Sequence, residues 1–276
     1  MAALRNGEAD LVSNVLMEEI PFLEKSKGIS IVKVPSLRMM FVAFDMEKEN
    51  SPILDPRVRL AMNYAVDVPA IVENIMQGYG VVLQGQPLSH EYIGHSTNIK
   101  AFPHDPAKAR ALIKEAGMEN HQFEIIAPSG RYVRGKEVAE VVASQLTAAG
   151  IKTKARIFEW GKWLDLLLSK KLSPMGFWGA ATGAHAAVWY NGMVVPGAPY
   201  SVYQNPKFMP LFKEASQCLD QDRAQKLWDE VNQLLHDDPP FIYLYQQMNI
   251  YGVNKRVAGW VPQASARIDF YHMDVR

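Results

Sequence analysis

Gly130, Gly135 and Lys136 stand at the spacing G-x-x-x-x-G-K within FEIIAPSGRYVRGKEVAEVV, residues 123–142. That spacing marks loops that wrap the phosphates of a nucleotide. The chemistry fails at the next position. A phosphate loop needs Ser or Thr after the lysine to hold magnesium, and Glu137 stands there instead. No further glycines let backbone amides close round an anion. The stretch still reads as strand, loop and helix, which aims amides and partial positive charge past the strand end. Arg131 adds a two-pronged donor at that spot. A solvated loop with Arg131 and Arg134 on its surface is the plainer alternative.

The other reactive residue types form no set. His90 and His95 in HEYIGH are five apart with Gly94 between them, whereas a zinc helix places two histidines four apart. Cys218 is the single cysteine, which excludes an internal disulfide and a multi-cysteine metal site. The G-x-S-x-G turn is absent. No catalytic residue, cofactor or metal ligand is therefore expected. Phe177, Trp178, Trp189, Tyr190, Tyr200 and Tyr203 crowd residues 177–203 with almost no charge. On a glycine-rich loop they would line a cleft, and on regular elements they would be core; the pattern leaves both open.

The elements that must position these residues follow from periodicity. ISIVKVP and RMMFVAFDM read as two strand-like runs split by Pro35-Ser36, apolar on both faces. Asp55-Pro56 and Asp105-Pro106 each start a helix, and Gly117 ends the second. Val138, Val141, Val142, Leu146 and Ala149 share one face of a helix ended by Gly150. IKTKARIFEW alternates as a strand, GKWLDLLLSKKL is helical and MGFWGAA is a short strand entering a loop over 182–205. Two helices follow, and PPFIYLYQQMNIYGV gives one long strand or two. Strands and helices alternate from 120 to 180, which predicts an α/β layered fold with a partly parallel sheet.

The 276 residues are 48% hydrophobic, with 29 basic residues against 29 acidic ones. A balanced charge argues against a general nucleic-acid partner, whose phosphates call for a basic surplus. No stretch approaches the roughly 18 apolar residues needed to cross a bilayer. MAALRNGEADLV does not read as a signal peptide, because it has no apolar run and carries Glu8 and Asp10 early.

Several segments, taken together and in order, resemble the extracytoplasmic solute-binding proteins of peptide-type ABC importers, the oligopeptide/dipeptide-binding family 5. They are LRNGEADLV, PSLRMMFVAFDM, LDPRVRLAMNYAVDVPAIVENIMQGYG, HDPAKARALIKEAG, GRYVRGKEVAEVVASQLTAAGIKTKARIFEWGKW and YQNPKFMPLFKEA. The resemblance implies a periplasmic-binding-protein-like class II fold, a mixed sheet flanked by helices, of which this chain is the C-terminal half. It implies lobe II over 43–245, with parts of lobe I over 1–42 and 246–276. It also implies a non-enzymatic role, ABC permease subunits as partners, and a periplasmic or extracytoplasmic location; without a leader the short form could stay cytoplasmic. Lobe-I strands without their usual neighbours would be open edges, so a homodimer is expected.

Site residues carry over only where motifs match. Arg131 stands where the resemblance implies a guanidinium holding a ligand carboxylate. Trp178 matches the Trp of Trp-x-x-Asp, but Ala181 stands where the Asp would pair with a peptide amino terminus, and Ala184-His185 replaces a following Asp-Pro. A buried ammonium without a counter-ion costs several kcal/mol. An anionic or hydrophilic solute is therefore expected against Arg131, Trp160, Phe177, Trp178, Ala181, His185 and Tyr200, rather than a peptide with a free amino terminus. The alternative is a stand-alone interaction or sensory domain that has lost solute capture.

Overall fold

The protein, a computed structural model, is described over residues 1–172 and 174–276. Its frame is one mixed sheet. The strands are β1 (Leu11–Ser13), β2 (Ile29–Phe44), β3 (Gly80–Val82), β4 (Phe123–Ser129), β5 (Thr153–Glu159), β6 (Met175–Ala181) and β7 (Phe241–Asn254). They lie in the order β1-β7-β2-β6-β4-β5, with β3 also paired to β7. β4 runs parallel to β5 and to β6, and the other pairs are antiparallel. The expected α/β class with a partly parallel sheet is what forms.

The parallel part arises from crossover helices. Gly135–Ala148 links β4 to β5, and Trp160–Leu168 links β5 to β6. Each returns the chain to the same edge, so the carboxyl ends of β4, β5 and β6 gather on one side, where α/β sheets place ligands. The apolar stripe of the first crossover is fully used: Val138, Val142 and Leu146 are buried.

The two Asp-Pro helix starts form as expected. Asp55 accepts from the Arg57 amide at 2.9 Å, and Asp105 from the Lys108 amide at 2.9 Å. Gly117 takes φ +70° just past the second helix, a conformation glycine adopts without strain.

Two expectations are corrected. The runs split at Pro35-Ser36 are one strand, β2, paired to β7 on both sides of an irregularity between Pro35 and Met39. The freed backbone groups find other partners, which is why the strand survives its proline. The Leu37 amide donates to Ala264 O at 2.8 Å, the Tyr92 hydroxyl donates to Leu37 O at 2.6 Å, and Gln246 Nε2 donates to Ser36 O at 2.7 Å. β2 and β7 thus run unbroken through 42/43 and 245/246.

The second correction concerns 182–205, read as loop. Ala186–Met193 is a helix, capped by His185, whose Nδ1 accepts from the Ala187 amide at 3.0 Å. Trp189 and Tyr190 on it are fully buried, so these two aromatics are core. The helix is short and, apart from Asn191, largely apolar, which left little amphipathic period to read.

Candidate functional site

The loop after β4 is a tight hand-over from strand to helix. Gly130 has φ +73° and Arg134 φ +52°, and the Gly135 amide donates back to Tyr132 O at 3.1 Å. A side chain at 135 would meet Tyr132 Cβ at 3.0 Å and Phe177 at 3.3 Å, a tight approach that favours glycine there. Tyr132 is thereby pinned on the sheet edge, its hydroxyl donating to Gly179 O at 3.3 Å. Arg134 turns away to pair with Glu18. Arg131 is left exposed beside the aromatics, its guanidinium 5.1 Å from the Trp160 ring centre and 5.7 Å from that of Tyr132.

Trp160 comes from the next strand end. Glu159 closes β5 and accepts from the Gly161 amide at 2.8 Å, fixing Trp160 at the first helical position. Its ring stacks on Trp163 at 5.3 Å, and the Trp163 indole donates to Ile126 O at 3.2 Å. Trp178, on β6, lies edge-on to Trp163 at 5.8 Å and to Phe41 at 5.2 Å. Its indole N–H is buried and has no hydrogen-bond partner among the described residues.

These side chains wall two adjoining cavities. One, of about 310 Å³, is aromatic, lined by Trp160, Trp163, Trp178 and Tyr200 among others. The other, of about 470 Å³, is more polar and includes Asn14, Ser36, Gln247 and Asn249. Arg38, Arg131, Tyr132 and Ala181 line both.

Arg38 is the residue the sequence reading missed. It sits on β2 directly across from Ala181 on β6, with its guanidinium 6.0 Å from the Tyr132 ring centre. Burial, and then the neighbouring Arg131 charge, hold its pKa below the usual guanidinium range. Neither arginine has a carboxylate partner among the described residues, and no Asp, Glu or His lines either cavity. A lone arginine between Leu37 and Met39, at the head of the apolar run MMFVAF, was the available signal.

Of the seven expected site residues, five come together: Arg131, Trp160, Trp178, Ala181 and Tyr200. Two do not line these cavities. Phe177 is fully buried on the other face of β6, edge-on to Tyr132 at 6.0 Å. His185 caps its helix, with its ring 5.9 Å from Trp228.

The same fold is found in solved solute-binding proteins. The ABC transporter substrate-binding protein CtaP from Listeria monocytogenes superposes with a TM-score of 0.89 at 19% identity, covering 99% of this chain and 57% of that one. DppA from Helicobacter pylori, a periplasmic binding protein in complex with the peptide STSA, gives 0.83 at 24%, covering 99% and 54%. In sequence, residues 1–191 match the bacterial extracellular solute-binding proteins, family 5 (middle), and the chain belongs to that family. The glutathione-binding protein GsiB of Pectobacterium atrosepticum is 25% identical over 287 residues, covering 99% of this chain and 55% of its own. The chain thus spans about half the length of the curated relatives it matches.

Proposed function

We propose that this chain forms part of the solute cleft of an ABC importer's extracytoplasmic binding protein, and that its solute is a small anion. One observation carries the reading: two guanidiniums, Arg38 and Arg131, share the wall of two cavities that contain no carboxylate. Aromatic faces beside them exclude water and let a charged group be held at lower dielectric, where each charge-assisted hydrogen bond gains strength. A cationic or zwitterionic ligand would place its ammonium near uncompensated positive charge, because Ala181 supplies no counter-ion.

In this reading 43–245 form one lobe, and 1–42 with 246–276 belong to the other, with β2 and β7 as the strands that run between them. Closure of the lobes on the solute is stabilised only by contacts that the open state lacks. ABC permease subunits then receive the closed form.

Calorimetry with a dipeptide and its N-acetylated counterpart tests the charge preference. The N-acetylated form, a simple anion, should bind more tightly. Tighter binding of the free dipeptide would reject the reading.

A further inference from the structure

The two cavities meet at a wall where positive charge is doubled. Arg38 arrives from β2 and Arg131 from the loop after β4, elements far apart in sequence. Both guanidiniums lie over the one Tyr132 ring, at 6.0 and 5.7 Å from its centre. Like charges repel, and part of the lowered Arg38 pKa comes from Arg131. Proteins commonly relieve such a pair with a carboxylate between the two cations. None lies there among the described residues: Glu18 is taken by Arg134, and the ladder position facing Arg38 is Ala181. A single negative charge would neutralise one guanidinium and leave the other. Beside this wall Trp160, Trp163 and Trp178 give the adjoining cavity an aromatic lining.

Resting on the anion-site reading above, we infer that the solute presents one doubly charged group of the phosphate-monoester kind to Arg38 and Arg131 together. Its planar or aromatic body lies in the cavity walled by Trp160, Trp163 and Trp178. The two forks supply up to four N–H donors to the oxygens of such a group, and its two charges match two guanidiniums, whereas a monoanion leaves one positive charge uncompensated. The polar cavity beyond, with Asn14, Gln247 and Asn249, receives whatever the solute carries on its far side.

Among the described residues, the ionisable groups lining the two cavities are Arg38, Arg131, Tyr132 and Tyr200, with no carboxylate or histidine, and burial pushes the Tyr132 phenol further up. Any pH dependence of binding between pH 5 and 8 therefore belongs to the solute.

The test titrates the purified chain with phenyl phosphate and with benzenesulfonate from pH 5 to 8. Phenyl phosphate gains its second charge near pH 6, as phosphate monoesters do, while benzenesulfonate stays singly charged. Phenyl phosphate should bind about tenfold more tightly at pH 8 than at pH 5, the gain of one further charge-assisted contact, and benzenesulfonate should show no trend. Arg38→Gln and Arg131→Gln should each abolish that pH dependence while still binding benzenesulfonate. Arg38→Lys, which keeps the charge, should retain part of it, and circular dichroism checks the fold of each variant.

Equal affinity for the two probes across the range would overturn the doubly charged solute and leave the anion site standing. Phenyl phosphate binding unaffected by Arg38→Gln in a folded protein would overturn the pairing. Failure of both probes to bind would overturn the anion site itself.

Discussion

Ala181 lies directly across the β2–β6 ladder from Arg38, as the antiparallel register pairs them. Facing positions of this kind bring Cβ atoms to about 5 Å, close enough for a carboxylate at 181 to meet the guanidinium. The alanine at 181 and an arginine without a carboxylate partner among the described residues are thus one feature seen from two strands.

Ala181→Asp should therefore reverse the charge preference. The new carboxylate would pair with Arg38, weaken binding of an N-acetylated dipeptide about tenfold, and favour the free dipeptide, given that partly desolvated charge pairs contribute about 1.5 kcal/mol or more. Ala181→Asn, similar in size without the charge, should leave the preference in place. Calorimetry on the three proteins reads it directly.

Arg59 and Asp238 tie the helix Pro56–Ala65 to the start of β7. Arg59 is 1% exposed, donates to Pro239 O at 3.1 Å and Ile53 O at 2.6 Å, and pairs with Asp238. Asp238 also accepts from the Tyr203 hydroxyl at 2.9 Å and from Asn205 Nδ2 at 2.6 Å. Asp238→Ala leaves a buried cation unpaired and should cost about 3–5 kcal/mol in urea unfolding. Adding Arg59→Met should recover part of that loss, since the coupling between contacting residues is not additive.

Much of this architecture could be read from the chain, and the exceptions share a cause. Asp55-Pro56 and Asp105-Pro106 start their helices through local hydrogen bonds, so local sequence sufficed. Arg131 was visible because a loop after a strand has a known direction. Arg38 was not, because its importance arises only when β2 lies beside β6, a pairing between distant segments. Phe177 was grouped with Trp178 by adjacency, yet neighbours on a strand face opposite ways. Trp189 and Tyr190 stayed undecided between cleft and core because a short, largely apolar helix among glycines has little period to mark it.

Asn232 joins three elements in the core. Its Nδ2 donates to Gly94 O and to Trp228 O, both at 2.8 Å, and its Oδ1 accepts from the Tyr190 hydroxyl. Gly94 has no alternative placement: it sits at φ +92°, and a Cβ there would lie 2.7 Å from that of Ala186. Asn232→Ala strands a buried carbonyl and a buried hydroxyl at once, and should cost about 2–4 kcal/mol. Gly94→Ala should also destabilise, through backbone strain and overlap. A fall in the urea midpoint without a change in slope would identify both as losses of native-state stability.

Asp45 gives a pH-dependent prediction. It is 4% exposed, and burial, its largest influence, raises its pKa above the ordinary value of 3.8. Its Oδ1 accepts from the Glu47 amide at 3.2 Å, a bond that an asparagine oxygen can keep. The folded state favours the neutral carboxyl, so the carboxyl's contribution to stability is fully present below pH 3.8. That contribution is lost as pH rises through the higher folded value. Asp45→Asn removes the loss. Its melting temperature relative to the parent should rise between about pH 4 and 7 and change little near pH 3. A constant difference across that range would mean that Asp45 ionises as easily in the fold as in the open chain.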